Sequence, residues 1–212
     1  MYGQIDNCPH SKPSNEPEQY ICVPKPNQNR RKAGERKESW MKKGAVFFDR
    51  DDTLVKDTGY MYKIADFQWM DGALIALKQL CDAGIAIFIV TNQGGIGKGL
   101  FTRQQMQDFH NHLLKEAEKA DITITDIAHC PHHPEAITAE MATPCICRKP
   151  EPGMLRQLAR KWDIDLGQSV MIGDRPSDIE AGRRAGCSAL QLTDDRNLPD
   201  LVTAAIDIIK KA

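Results

Sequence analysis

Side chains that could carry out acid-base and metal chemistry follow four short apolar runs of this chain. The runs cover residues 45–48, 85–90, 124–128 and 169–172, and they end at Asp49 with Asp51, at Thr91, at His129 with Cys130, and at Asp174. Two carboxylates one residue apart can bind a hard cation, or one can attack a phosphorus atom while the other transfers a proton. Asp174 offers a third oxygen ligand for Mg²⁺, Thr91 a hydroxyl donor, and Lys149 an ammonium that balances phosphoryl charge. Each residue alone also suits a turn or a solvated surface, but their shared position favours phosphoryl chemistry.

Apolar runs of strand length alternate with segments of helical periodicity after residue 45, and a further strand is predicted at residues 188–192. The helical segments begin after Asp71, at a capping box of Thr102 and Gln105, at residue 153, at a second capping box of Ser177 and Glu180, and near Pro199. This alternation predicts an α/β fold with a doubly wound, mainly parallel sheet and helices on both faces. Ligands bind beyond the carboxyl ends of strands in such sheets, so we expect the residues at the run ends to converge on one rim.

The motif residues resemble those of the haloacid dehalogenase (HAD) superfamily of phosphotransferases. They read Asp49-Arg50-Asp51-Asp52-Thr53, then Thr91, then Lys149, then Gly173-Asp174-Arg175-Pro176-Ser177-Asp178. The resemblance implies that Asp49 is the nucleophile that forms an aspartyl-phosphate, and that Asp51 protonates the leaving group and then activates water. It also implies that Mg²⁺ is held by Asp49, the backbone carbonyl of Asp51 and Asp174. Thr91 and Lys149 would contact the phosphoryl oxygens.

A cysteine-rich loop between residues 130 and 147 predicts a zinc site, although a disulfide or unrelated thiols would give the same residues. The predicted ligands are three thiolates and one imidazole, from Cys130, Cys145, Cys147 and His132. His129 and His133 are alternative ligands that the spacing leaves open. Four such ligands make a closed tetrahedral Zn²⁺ site, which is structural because no coordination position stays open. We expect the metal to fix the loop and thereby Arg148 and Lys149, which directly follow the last ligand.

The same loop is similar to that of the D-glycero-D-manno-heptose-1,7-bisphosphate 7-phosphatases. The similarity covers Cys-Pro-His-His-Pro at 130–134, Cys-x-Cys-Arg-Lys-Pro at 145–150, Gly59-Tyr60 and Thr91-Asn92-Gln93. It implies a small sugar phosphate as substrate, no large cap domain, and substrate contacts at Asp57, Thr58, Gly59, Tyr60, Asn92, Gln93, Gly94, Arg148 and Arg175. Histidinol-phosphate phosphatases share the zinc arrangement and are the alternative. A zinc-stabilised binding protein that has lost catalysis is the alternative from another class.

Three positions depart from the usual pattern of this family. Asp52 stands where Gly is usual, Lys98 where many relatives have Arg, and Gly94 where many have Ser. Asp tolerates left-handed backbone better than most residues, so the turn can form, but we expect its carboxylate to weaken phosphate binding or slow attack. The glycine-rich run at 94–99 lacks the first glycine and the Ser or Thr of a P-loop, which excludes that kind of nucleotide site.

Composition and charge fix the class of protein. The 212 residues carry a net charge of −1, and no apolar run approaches the roughly 20 residues that span a bilayer, so we expect neither a nucleic-acid nor a membrane partner. Residues 1–40 are rich in Pro, Asn, Gln and basic side chains, which predicts a disordered polar tail before a phosphatase domain at 41–212. The odd number of cysteines, 7, and the lack of an export signal favour a reducing, cytoplasmic setting. We expect a monomer.

Overall fold

A parallel sheet of five strands forms the centre of the molecule. The structure is a computed structural model, and it describes residues 43–212. In chain order the strands are β1 Ala45–Phe48, β2 Ala86–Asn92, β3 Asp126–Cys130, β4 Val170–Gly173 and β5 Ser188–Gln191. Their order across the sheet is β3-β2-β1-β4-β5, and each neighbouring pair is parallel. The predicted parallel α/β sheet is therefore confirmed. The polar tail predicted at 1–40, and the domain start predicted at 41, lie outside the described residues.

Strand β1 shows why the sheet is covered on both faces. Val46 and Phe48 belong to one core cluster, whereas Ala45 and Phe47 belong to another. Successive side chains of a strand point to opposite faces, and all four of these are fully buried. A short strand that is apolar on both faces is what a parallel sheet between two helical layers requires.

Helices cover both faces of the sheet. They are α1 Ala73–Asp82, α2 Arg103–Lys119, α3 Ala139–Ala142, α4 Gly153–Trp162, α5 Pro176–Ala185 and α6 Leu198–Lys211. Helices α1, α2 and α6 contribute to the cluster of Val46 and Phe48, while α4 and α5 contribute to the cluster on the opposite face. Between residues 43 and 212 the long connections carry only short helical turns, such as Ile64–Asp66 and α3, and no cap domain. No helix in this part of the chain is both long enough and apolar enough to cross a membrane.

Helix α2 begins as predicted, but α5 does not. The hydroxyl of Thr102 accepts a hydrogen bond from the backbone N–H of Gln105 at 3.1 Å, and the Gln105 side chain accepts one from the backbone of Thr102 at 2.8 Å. The capping box predicted at Ser177 and Glu180 is wrong, because Pro176 already occupies the first helical turn. Instead, the backbone N–H of Arg175, just before that proline, donates to the side chain of Asp178 at 3.0 Å.

Strand β3 lies two residues later than the predicted run at 124–128. Its ladder with β2 runs from Asp126, paired with Phe88, to Cys130, paired with Asn92. Because β2 extends to Asn92, beyond the apolar run that predicted it, it offers two further pairing positions. His129 and Cys130 are therefore the last residues of β3 rather than the first residues after it. The reactive residues still gather at the carboxyl edge of the sheet.

Candidate active site

Asp49 directly follows β1, and its backbone N–H continues the sheet by donating to the carbonyl of Ile172 at 2.9 Å. Its carboxylate is buried and accepts a hydrogen bond from Lys149 Nζ at 2.5 Å. Burial raises the pKa of Asp49 to about 7, although the ammonium of Lys149 opposes the rise. A poorly hydrated carboxylate whose direction is fixed by one cation suits nucleophilic attack.

Lys149 bridges two buried carboxylates. Its Nζ lies 2.5 Å from Asp49 Oδ1 and 2.7 Å from Asp178 Oδ1, and it donates to the carbonyl of Val90 at 2.8 Å. Burial pulls the pKa of Lys149 down, but the two carboxylates outweigh burial and hold the pKa above its usual value. The Asn92 side chain accepts from the backbone N–H of Lys149 at 3.0 Å and donates to its carbonyl at 3.1 Å. Lys149 is thus a fixed, charged ammonium beside Asp49.

Three carboxylates form a group that could hold a cation. Asp49, Asp174 and Asp178 each offer an oxygen atom, and these atoms lie within 4.8 Å of one another. Burial raises the pKa of both Asp174 and Asp49, and the nearby carboxylate of Asp178 acts in the same direction. A bound cation would offset this negative charge. Hard oxygen ligands of this kind fit Mg²⁺. Gly173 permits the arrangement, because a side chain at that position would collide with the side chain of Asp178.

Both carboxylate oxygens of Asp51 are held by neighbouring side chains. Oδ1 accepts a hydrogen bond from Arg50 Nε at 2.9 Å and lies 2.7 Å from Arg50 Nη2. Oδ2 accepts from the Thr91 hydroxyl at 3.2 Å and from Gln93 Nε2 at 2.9 Å. Thr91, which was predicted to contact the phosphoryl group, is fully buried and is not among the cavity-lining residues, and its hydroxyl orients Asp51. Gln93, which was predicted to contact the substrate, lines the cavity and also orients Asp51. The side chain of Asp51 points to these residues, so its predicted share in a cation site rests on its backbone carbonyl.

A cavity of about 420 Å³ is lined by Asp49, Asp51 and Lys149. Its size lies within the range of small-molecule sites. The predicted substrate residues that also line it are Asp57, Gly59, Tyr60, Asn92, Gln93, Gly94, Arg148 and Arg175. Thr58 is not among the lining residues, since its hydroxyl contacts the sulfur of Met61 at 3.3 Å.

Asp52 adopts left-handed backbone, with a φ of 57°. Its Oδ1 accepts a hydrogen bond from the backbone N–H of Asp57 at 2.9 Å, and its Oδ2 lies 3.9 Å from Arg175 Nη2. Arg175 is also 4.0 Å from Asp57 and 3.5 Å from Asp174. The carboxylate that replaces the usual glycine therefore anchors the loop at Asp57. It also joins the acids that surround Arg175, a cation of the cavity wall.

We expect Asp52→Gly to raise kcat/KM for a phosphate substrate by up to about tenfold, since about 1.4 kcal/mol corresponds to one decade. Gly adopts left-handed backbone without the strain that Asp52 has there. Loss of the carboxylate also removes a negative charge near the phosphate and leaves Arg175 free of its contact with Asp52. Asp52→Asn is the matched control, because it removes the charge but keeps the acceptor for the Asp57 N–H. Steady-state phosphate release measures both variants. Lower efficiency in both would mean that the carboxylate has a positive role, such as binding a cationic substrate group.

The four predicted zinc ligands lie together at the end of β3 and in the loop before α4. Their ligand atoms fall within 4.8 Å of one another, in a group made by Cys130, His132, Cys145 and Cys147. The contacts between these atoms measure from 3.2 to 3.6 Å, close to the roughly 3.5–3.8 Å edges of a tetrahedral zinc site with bonds of about 2.0–2.3 Å. Hydrogen bonds among the three thiols lower the pKa of Cys145 and raise those of Cys130 and Cys147, so in the absence of a metal Cys145 is the thiol that ionises first. The donor set therefore fits zinc.

The two alternative zinc ligands lie elsewhere. The buried ring of His129 faces that of His110, with ring centroids 6.1 Å apart, and His133 lines the cavity.

The cysteine cluster and the cavity are joined by Arg148. Its backbone N–H contacts Cys145 Sγ at 3.4 Å, and its Nη1 donates to the carbonyl of His132 at 2.9 Å. A metal held by the cluster would therefore fix Arg148 in the cavity wall.

Two buried residues of the site were given no role by sequence reasoning. Asp178 is the second acid of the motif that begins at Gly173, one helical turn after Asp174, and this spacing was a signal that could have assigned it. Arg50 is fully buried beside Asp51. Its sequence position gives no sign of burial, because one of its main partners, His110, is 60 positions away.

Comparison with known proteins places this geometry in a family. Residues 146–208 match the family model of HAD-hydrolase-like proteins. The chain is 41% identical over 141 residues to the D-glycero-alpha-D-manno-heptose-1,7-bisphosphate 7-phosphatase of Photorhabdus laumondii, a match that covers 66% of this chain and 77% of that protein. It is 36% identical over 163 residues to the D-glycero-beta-D-manno-heptose-1,7-bisphosphate 7-phosphatase of Escherichia coli K12, covering 76% and 85%.

A solved structure agrees with these sequence matches. The D,D-heptose 1,7-bisphosphate phosphatase from B. bronchiseptica, complexed with magnesium and phosphate, superposes with a TM-score of 0.67 at 25% identity. The superposition covers 80% of this chain and 99% of that one. With relatives above 30% identity that align over more than two thirds of their length, the chain belongs to the heptose-1,7-bisphosphate 7-phosphatase family of HAD-like phosphatases.

Proposed function

We propose that this chain is a Mg²⁺-dependent phosphatase that hydrolyses the 7-phosphate of D-glycero-D-manno-heptose 1,7-bisphosphate through an aspartyl-phosphate. The proposal rests above all on the buried pair of Asp49 and Lys149, which lines the cavity. Asp49 is also one of the three carboxylates that could hold a cation. A fixed carboxylate, a fixed ammonium and a cation site at one point are what attack on a phosphate ester needs. The names of the relatives support the choice of substrate.

In the first half-reaction Asp49 is the nucleophile. One of its carboxylate oxygens forms a bond to the phosphorus of the 7-phosphate while the bond from phosphorus to the sugar oxygen breaks. Asp51 gives its proton to that sugar oxygen, so the heptose leaves as an alcohol and Asp51 becomes a carboxylate. The ammonium of Lys149 offsets negative charge on the phosphoryl oxygens during the transfer.

The second half-reaction regenerates Asp49. Asp51 takes a proton from water, and the water oxygen attacks the phosphorus of the aspartyl-phosphate. The bond between phosphorus and the Asp49 oxygen breaks, which leaves Asp49 as a carboxylate, Asp51 as an acid and inorganic phosphate as product. Held by Asp49, Asp174 and the backbone carbonyl of Asp51, Mg²⁺ would supply positive charge that reduces repulsion between the nucleophile and the phosphate.

Cationic groups in the cavity wall suit a substrate with two phosphates. Arg148 and Arg175 both line the cavity, and Arg148 is held in place by the carbonyl of His132. We assign the phosphate that is not hydrolysed to these two side chains. We assign the sugar hydroxyls to Asp57, Gly59 and Tyr60 of the loop at 57–60 and to the chain at Asn92 and Gly94.

The function is tested by phosphate release from a panel of phosphate esters with and without Mg²⁺. We expect one equivalent of phosphate from heptose 1,7-bisphosphate, with the heptose 1-phosphate as the product, and at least about tenfold lower kcat/KM for histidinol phosphate, because that ester lacks a second phosphate. The alpha and beta anomers are assayed separately. Faster turnover of histidinol phosphate would overturn the substrate assignment, and no release from any ester would favour a binding protein.

We further propose that the cluster of three cysteines and His132 holds a structural Zn²⁺. The ligand set is closed, which leaves no position for substrate or water. Its contribution to activity would pass through Arg148, which contacts both Cys145 and His132. Zinc would thus stabilise the loop and the cavity wall, while the transfer of phosphate depends on the separate carboxylate site.

We expect elemental analysis to find about one zinc per chain, and Cys145→Ser to lose that zinc with about a tenfold to 100-fold fall in activity. The fall should lie mainly in KM, because Arg148 binds substrate rather than the reacting phosphorus. Cys81→Ser is the matched control, since this thiol lies on α1 outside the cluster. Protein purified without chelator that contains no zinc would contradict the assignment.

A further inference from the structure

Arg50 lies between the two reactive aspartates and is the largest fully buried side chain among residues 43–212. Burying a guanidinium costs free energy unless its charge and its N–H groups are matched. Its side chain is 0% exposed, although Arg50 is among the residues that border the cavity. We therefore expect it to act on chemistry through the groups that it contacts.

The contacts of Arg50 are all directional. Nε and Nη2 face Oδ1 of Asp51, at 2.9 and 2.7 Å, and Nη2 also donates to the carbonyl of Met61 at 3.0 Å. Nη1 lies 3.0 Å from Nε2 of His110, and the guanidinium carbon lies 4.8 Å from the centre of the Phe109 ring. Two residues of α2 therefore hold the guanidinium, and the guanidinium in turn holds Asp51.

His110 is suited to accept this hydrogen bond. Burial lowers the pKa of His110 well below its usual value, and the positive charge of Arg50 acts in the same direction. The imidazole is therefore neutral, with Nε2 free of a proton and able to accept from Arg50. The buried contact between a guanidinium and an imidazole is then a hydrogen bond rather than a repulsion.

The same contacts give the two carboxylate oxygens of Asp51 different surroundings. Arg50 has only donors, so Oδ1 of Asp51, which faces two of its N–H groups, stays an acceptor. Oδ2, which accepts from the Thr91 hydroxyl and from Gln93, is then the oxygen left to exchange a proton. A hydroxyl can accept as well as donate, so the contact with Thr91 suits either direction of that exchange.

We propose that Arg50, fixed by His110, is a positioning residue that holds Oδ1 of Asp51 and so presents Oδ2 as the oxygen that exchanges a proton with the leaving group. The inference rests on the proposed function, in which Asp51 is the acid and base. Through Met61 the same guanidinium ties Asp51 to the end of the loop at 57–60. Arg50 would thus couple the substrate loop to proton transfer.

The test compares two substrates that differ in their need for an acid. A sugar phosphate loses an alkoxide, which must be protonated, whereas p-nitrophenyl phosphate loses a stable phenolate. For each, kcat/KM reports the steps up to release of the alcohol or phenol, so the later hydrolysis of the aspartyl-phosphate does not enter. We expect Arg50→Met to lower kcat/KM for heptose bisphosphate by about 100-fold, and for p-nitrophenyl phosphate by less than about threefold.

Further variants separate positioning from folding. Asp51→Asn should show the same selective loss, and the double variant with Arg50→Met should be no slower than Asp51→Asn alone, since both act on one group. Arg50→Lys, which keeps a cation, should recover part of the rate. Lys161→Met is the control: it removes an ion pair with Asp126, 2.8 Å long and remote from the cavity. It should change kcat/KM little, and by the same factor for both substrates.

An equal loss on both substrates in Arg50→Met, or no loss on either, would overturn the proposal. If Arg50→Met does not fold, His110→Leu gives the same test in a milder form, with a selective loss of about tenfold expected. If the parent protein does not turn over heptose bisphosphate, the proposed function fails on its own. The comparison is then made with the alkyl phosphate that the parent hydrolyses fastest, so the two proposals remain distinguishable.

Discussion

We expect Asp49→Asn to lose phosphatase activity by about three orders of magnitude or more, because an amide cannot attack phosphorus to form the aspartyl-phosphate. The loss should lie in kcat, since Arg148 and Arg175 still line the cavity and bind substrate. Steady-state phosphate release measures it. In the parent protein, acid quenching during turnover should trap a phosphoryl group on the peptide that contains Asp49, and the variant should show none.

The fold should tolerate this change. The amide oxygen of Asn can accept the hydrogen bond from Lys149 that the carboxylate accepts now. A buried carboxylate whose pKa is raised to about 7 does not favour the folded state at neutral pH, so its loss should leave the unfolding temperature unchanged or higher. Asp82→Asn, at the exposed end of α1, serves as the control for loss of an acid. Near-normal activity in Asp49→Asn would rule out Asp49 as the nucleophile.

Sequence reasoning succeeded where the chemistry depends on strand ends. Asp49 and Lys149 are 100 positions apart, yet they meet at the carboxyl edge of the sheet, where Asp49 follows β1 and Lys149 lies in the loop between β3 and α4. The four predicted zinc ligands do lie together, and here the signal was short spacing, since His132 lies two residues after Cys130 and Cys147 two after Cys145. Short sequence spacing and the common edge of parallel strands were therefore enough to predict which of these side chains lie together.

The parts that were missed depend on packing across long sequence separations. No local sequence pattern indicates that Arg50 is buried. In the structure, Phe109 and His110 of α2 contact its guanidinium. Gln93 was assigned to the substrate by resemblance alone, but its amide nitrogen also binds Asp51 and Thr91. A polar side chain beside a cavity can face the ligand or the protein, and only the three-dimensional contacts decide between the two.

We expect Lys149→Met to destabilise the protein by about 3–5 kcal/mol in the absence of Mg²⁺, because removal of one partner leaves buried charge uncompensated. The Lys149 side chain is 2% exposed and lies 2.5 Å from Asp49 and 2.7 Å from Asp178, so both carboxylates would lose their ammonium. Denaturant unfolding measures the loss. Lys98→Met is the matched control, since the ion pair of Lys98 with Glu135 lies at the surface and should contribute little to stability.

The loss of stability in Lys149→Met should depend on pH in a defined direction. Lys149 lowers the pKa of Asp49, so its removal should carry that pKa further above the value of about 7 in the parent. A carboxyl whose pKa is raised in the folded state favours folding at pH values below its unfolded pKa, and this contribution is lost as pH rises through the folded pKa. The deficit of the variant should therefore be smaller near pH 5 and largest above pH 7, where the ionised Asp49 of the parent is stabilised by Lys149 and the variant has no ammonium there. A deficit that is the same at both pH values would mean that Lys149 stabilises the fold by packing rather than by charge. In that case the nucleophile would not depend on Lys149 for its ionisation.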